Sequence, residues 1–168
     1  MSKYEYHPAT DEQLERIWDK DIADNPGDEN YVRWKRQFID DNQRGAAKTF
    51  VVIADGEPVG QGTLLFSPDC RAISGRLMLA DHQTTANINA LRIDETLEGR
   101  GHISKLERVM ERYALERGYT RLTIGVDEGE ARNRAIYRHW GFTRLVLEAE
   151  ESGERVLYYA KDLKQASE

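Results

Sequence analysis

The sequence predicts a mixed α/β fold, a sheet of strands with helices on its faces. Three observations predict it. The chain has 168 residues, the size of one ordinary domain, and is read as a single domain over residues 1–168. Apolar runs with a two-residue rhythm alternate with stretches whose apolar residues recur every three or four positions. The resulting order is strand, helix, helix, three or four strands, helix, strand, helix, two strands, which mixes hairpin and crossover connections.

Each element has a local cause. "YEY" near the start reads as a short strand. Thr10 then opens a helix, with Gln13 three residues on in a capping-box arrangement, and Leu14, Ile17 and Trp18 share one face. "NPG" at 25–27 is a turn, and a second helix runs from about Asp28 with Tyr31, Trp34 and Phe38 at helical spacing. "KTFVVIADGEPVGQGTLLF" is two strands joined around Asp55-Gly56, a hairpin signal. Residues 67–85 are ambiguous, part of the segment fitting a loop or a short strand. "ANINALRI" alternates as a strand.

From Ile103 the apolar positions Leu106, Val109, Met110, Tyr113 and Ala114 complete one helix face, stopped by Gly118. "TRLTIGV" is the next strand, and "GEARNRAIYRHW" the next helix, ended by Gly141. "FTRLVLEAE" and "ERVLYYAKDL" close as an antiparallel pair around Ser152-Gly153.

Composition narrows the function classes. Apolar residues make up 39% and charged residues 32%, which fits a soluble domain with a solvated surface. No stretch approaches the length of a membrane span, and the N-terminus carries no apolar signal core, so a membrane partner is not expected. Cys70 is the only cysteine, which points to a cytoplasmic home and excludes a Cys/Cys metal site. His7, His82, His102 and His139 show no ligand spacing, so no metal is expected. The net charge of −6 argues against a nucleic-acid partner and suits a cationic or amine-bearing one.

The stretch "LEGRGHISKL" stands where an apolar strand gives way to a helix. Unpaired N–H groups and a partial positive charge at a helix N-terminus attract phosphate. Gly99 and Gly101 allow close approach of an anion to the backbone, Arg100 adds a cation and Ser104 a hydroxyl. The stretch lacks the Lys-Ser/Thr ending of a nucleotide-hydrolase loop and the full dinucleotide fingerprint. On its own it reads as a diphosphate cradle or as a tight turn.

About thirty residues on comes "EARNRAIYRHWGF". Strand, "EGRGHISKL", helix, strand and a short helix ending in "YRHWGF" together resemble the GNAT superfamily of N-acetyltransferases. The family loop usually reads Arg/Gln-x-x-Gly-x-Gly/Ala; Gly101 matches the central glycine, while Glu98 and Ile103 depart at its ends. Tyr137-x-x-x-Gly141-Phe142 fits the family's Tyr-x-x-x-Gly-Phe. Glu130 replaces an asparagine usual seven residues before the tyrosine, and Asn133 lies one turn closer.

The resemblance implies a mostly antiparallel sheet of about six or seven strands with one splayed parallel pair, and acetyl-CoA as acyl donor. It implies an amine of a small molecule or peptide as acceptor, and a homodimer as a common assembly. It places backbone groups of Leu91 and Ile93 on the pantetheine arm. The diphosphate falls on Gly99, Arg100, Gly101, His102, Ile103 and Ser104, with Asn133 a further contact. The His102 imidazole itself is expected in solvent.

Acetyl transfer needs a neutral amine, a stabilised thioester oxygen and a proton for the leaving thiolate. The resemblance makes Tyr137 the acid. Base candidates are Glu95 beside Asp94, and Asp127 beside Glu128, each pair at a strand end; water is the other route. The aromatic residues of the first two helices border the acceptor pocket in the family, and with Asp24, Asp28 and Glu29 they would suit a cationic amine. Glu98, Ile103 and the displaced asparagine support the alternative of a non-catalytic acyl-CoA sensor or interaction module.

Overall fold

The computed structural model describes residues 2–164. They fall into two compact units, one of residues up to 64 with 90–112, the other of 65–89 with the chain from 113 onward.

The first unit opens with β1 (Tyr4–Pro8) and α1 (Asp11–Asp24). Thr10 and Gln13 close the expected capping box, each side chain meeting the other's backbone N–H. After the turn at Asn25, Asp28 caps α2 (Glu29–Gln43) by accepting from Asn30 N–H at 3.0 Å. β2 (Ala47–Ala54) and β3 (Glu57–Leu65) flank Asp55 and Gly56, whose φ values of 49° and 86° suit a two-residue hairpin turn. β1 lies antiparallel on β2, from Tyr4 opposite Ala54 to Pro8 opposite Phe50. Trp18 meets Phe38 edge-on at 5.2 Å, and Phe50, Val51 and Val52 of β2 are fully buried. Of the aromatic stripe expected on α2, Phe38 is in the core, while Tyr31 and Trp34 are half-buried and lean on each other at 5.0 Å.

β4 (Thr85–Ile93) runs through both units. Its last residues lie over β3, where Gly60 and Gly62 make room: an added Cβ would stand 2.7 Å from Ile93 Cδ1 and from Leu91 Cδ1 respectively. α3 (His102–Glu116) follows, with Leu106 and Met110 fully buried.

In the second unit, residues 67–84 form no strand. They make turns around a short 3-10 stretch at Arg71–Ile73, whose Ile73, with Leu79, is fully buried. Asp81 ends this segment by accepting from the N–H groups of Gln83, Thr84 and Thr85. β5 (Arg121–Asp127) runs parallel to β4, from Arg121 opposite Thr85 to Ile124 opposite Ile88. β4 runs on to Ile93, while Gly125, Val126 and Asp127 pair with β7 (Glu154–Asp162). α4 (Ala131–His139) precedes β6 (Arg144–Glu151), which pairs antiparallel with β7. The strand order is β1-β2-β3-β4-β5-β7-β6, a seven-stranded, mostly antiparallel sheet with β4 and β5 as its parallel pair.

Candidate active site

The chain leaves β4 through Asp94, whose carboxylate accepts from Thr96 N–H at 3.0 Å and Thr96 Oγ1 at 2.8 Å and pairs with Lys20 Nζ at 2.8 Å. Those contacts, Lys20 first, hold its carboxyl down at about 2. Asp94 is therefore an anchor and a poor proton acceptor. A 3-10 turn over Glu95–Leu97 then delivers the glycine loop.

Gly99 and Gly101 take φ values of 77° and 85°, in the left-handed region that side chains avoid. Lys105 N–H, in the first turn of α3, donates to Gly101 O at 3.1 Å. Among the described residues, the N–H groups of Gly99, Arg100, Gly101, His102 and Ile103 find no backbone acceptor. Gly99, Arg100 and Gly101 are exposed, and a Cβ at Gly101 would meet nothing within 4 Å. The strand-to-helix junction is thus an open set of donors at the positive end of a fifteen-residue helix. Glu98 is exposed beside it.

His102 departs from expectation. Its imidazole is buried rather than solvated, with 6% of the residue exposed. Nδ1 lies 2.7 Å from Tyr6 Oη, and the ring lies 4.3 Å from that of Tyr4. Both tyrosines come from β1 and box the ring in. Burial lowers its pKa, and Lys105 and Arg100 lower it further. The imidazole is neutral at pH 7, so cationic help for an anion falls to Arg100.

Leu91 and Ile93, the residues expected to hold an acyl carrier arm, stand two apart on one face of β4, over the two glycines of β3. Glu95 is exposed and, with Ile93, lines a cleft of about 420 Å³. The same cleft takes in Asp21 of α1, Gln61 of β3 and Arg92 of β4. Sequence reasoning missed these three. The available signals were a glutamine between two glycines in "VGQGTLLF" and an arginine inside the apolar "ALRI".

The remaining predicted residues belong to the second unit. Tyr137 is half-buried on α4, with its ring 5.4 Å from that of Trp140. Burial first, and the Glu130 carboxylate second, push its phenol up to about 12. Gly141 N–H donates to Arg138 O at 2.9 Å and Phe142 N–H to Tyr137 O at 3.0 Å, with Gly141 at φ 105°. These are the two bonds of a Schellman stop, so the spacing Tyr137-x-x-x-Gly141-Phe142 is also a helix-ending device. Asn133, one turn before Tyr137, is exposed, as is Asp127 at the end of β5.

Among the described residues, no group of three or more His, Cys, Asp and Glu side chains could hold a metal ion, and no helix is long and apolar enough to cross a membrane.

The family model for the acetyltransferase (GNAT) family matches residues 12–142. No curated protein sequence matches the chain. Among solved structures, an acetyltransferase from Salmonella typhimurium that modifies the N-terminal serine of ribosomal protein L7/L12 is 17% identical. The match covers 96% of this chain and 95% of that one, with a TM-score of 0.69. An N-acetyltransferase from Staphylococcus aureus is 19% identical over 96% and 99% of the two chains, at a TM-score of 0.70. An L7/L12 α-N-protein acetyltransferase solved with coenzyme A is 18% identical over 95% and 94%, at 0.66. At these identities the likeness establishes a shared fold.

Proposed function

Since this chain belongs to the acetyltransferase (GNAT) family, we propose that it is an N-acetyltransferase carrying acetyl from acetyl-CoA to a primary amine of a small molecule or peptide by direct attack. The observation that carries the reading is the run of main-chain N–H groups from Gly99 to Ile103, free of backbone acceptors at an exposed helix mouth. These groups suit a diphosphate, and the open space above Gly101 suits its approach. Arg100 adds its charge, Ser104 its hydroxyl, and Asn133 a side-chain contact. Backbone groups of Leu91 and Ile93 pair with the pantetheine arm as an added strand would.

When bound, acetyl-CoA supplies an acyl carbon already activated as a thioester. The residues of the chain manage the protons around it. As the amine nitrogen bonds to the acyl carbon and the C–S bond breaks, one proton must leave nitrogen and one must reach sulfur. Tyr137 donates the second. Its phenol, near 12, keeps its proton throughout neutral pH. That value stands well above the ~8.5 of an ordinary thiol, so the phenol acts as a hydrogen-bond donor whose proton moves in concert with the amine's. Glu95, exposed on the cleft, accepts the amine proton directly or through water; Asp127 is the alternative carboxylate.

Thiol release from acetyl-CoA across a panel of amines tests this, beside calorimetry. The reading expects saturable acetyl-CoA binding and turnover on at least one amine. Tyr137→Phe is expected to lower kcat by about 100-fold, the scale of a lost general acid, with donor affinity retained. Binding without turnover on any amine, and no effect of Tyr137→Phe, would establish the acyl-CoA sensor instead.

A further inference from the structure

The cleft on the α1 side of β3 and β4 holds polar atoms that the fold has buried and left without hydrogen bonds. The Gln61 side chain is fully buried; its Nε2 donates to Asp21 Oδ2 at 2.7 Å, and its Oε1 has no donor. Arg92 lies across the rings of Trp18 and Tyr31, with Cζ 5.1 and 5.2 Å from their centroids. Its Nη2 stands 3.4 Å from the same Asp21 oxygen. Yet Nε and Nη2, the two donors along one edge of the guanidinium, make no hydrogen bond. Asp21 Oδ2 stands between an acceptor that lacks a donor and a guanidinium edge that it meets as an ion pair but not as a hydrogen bond.

Buried polar groups are normally satisfied, and an unmade bond in a closed site is costly. A planar fork fits one carbonyl oxygen or a carboxylate. An amide oxygen fits an N–H. Lys20 is already shared by Asp24 and Asp94 at 2.8 Å each, so its charge is spent on the rim. The rim also carries Glu95.

We infer that this cleft is the acceptor subsite and that it takes an amine with an oxygen on the neighbouring carbon: an α-amino acid, its amide or a peptide N-terminus. The amine N–H meets Gln61 Oε1, and the carbonyl or carboxylate oxygen meets Nε and Nη2 of Arg92. Holding the nitrogen by a neutral amide rather than by a second bare carboxylate suits a reaction that needs the amine uncharged. Burial raises the Asp21 pKa, against the pull of Arg92 and Gln61. The inference rests on the acetyl-transfer reading above.

The test compares alaninamide with isopropylamine, the same amine without its carbonyl, by thiol release with the full chain and acetyl-CoA. Rates are expressed per neutral amine. The inference expects kcat/KM at least 100-fold higher for alaninamide. Alanine and a dialanine peptide then separate a carboxylate from a neutral carbonyl as the preferred oxygen. Arg92→Lys, which keeps the charge and the stem but loses the fork, should pull the alaninamide-to-isopropylamine ratio down at least tenfold, chiefly through KM. Gln61→Leu should do the same. Equal rates on the two amines, or a ratio unmoved by Arg92→Lys, would mean that only water fills these positions, and the subsite would be overturned while acetyl transfer stood. Absence of acetyl-CoA binding would remove both.

Discussion

His102 stands at the first turn of α3 with its backbone facing the loop and its ring facing inward. The division is enforced by Tyr4 and Tyr6, which close over the imidazole and leave Nδ1 bonded to a phenol. Lys105 adds its ammonium 5.8 Å from the centre of the Tyr6 ring. A ring this enclosed fixes the residue on which the glycine loop ends. Tyr6→Phe removes the hydroxyl and strands Nδ1 in a buried place, which should cost about 1–2 kcal/mol of stability. Urea denaturation checks this; an unchanged midpoint would mean the bond contributes nothing. None of this was legible in the sequence, because Tyr6 and His102 are ninety-six positions apart and a lone histidine after a glycine carries no trace of a distant phenol. Tyr137 is the opposite case. Its neighbours Gly141 and Phe142 are local, and the helix stop they build is written in the spacing itself.

β4 is the element on which the site depends, and both of its ends are tied by an aspartate. Asp81 precedes it. Burial works against its charge, but the N–H groups of Thr85, Gln83 and Thr84 and the Thr84 hydroxyl outweigh that and hold its pKa at about 2. Asp94 follows the strand and is held at about 2 by Lys20 and Thr96. Both folded values lie below the ordinary ~3.9 of an unfolded aspartate, so the stabilisation is fully present above about pH 4 and is lost as pH falls toward 2. Each carboxylate is partly open to solvent, which brings the contribution to about 1–2 kcal/mol. Asp81→Asn and Asp94→Asn should each lower stability at pH 7 and flatten its decline between pH 4 and 2. Thermal unfolding across that range checks it; a decline of unchanged slope would contradict it. The strand itself was readable from its alternation, as were the capping box of α1 and the glycine stop of α3, since each signal lies within a few residues of its effect. Residues 67–84 were not, because buried Ile73 and Leu79 make the segment apolar enough for a strand while its hydrogen bonds are spent in turns.

At the scale of the molecule, the element order followed from periodicity, which left the strand count open by one, and the family from two short motifs placed on it. The cleft did not follow. Gln61 reaches Asp21 across forty positions, and Arg92 meets α1 and α2 side chains from a distant strand. Pairings of that span leave no rhythm in a sequence. What joins the scales is a backbone property, the donors that two left-handed glycines leave open at the head of α3. Titration of amide-labelled protein with acetyl-CoA, followed by backbone NMR, tests that claim most directly. The account predicts the largest saturable shifts at the amides of Gly99, Arg100, Gly101, His102 and Ile103; saturable binding that leaves those five signals in place would contradict it.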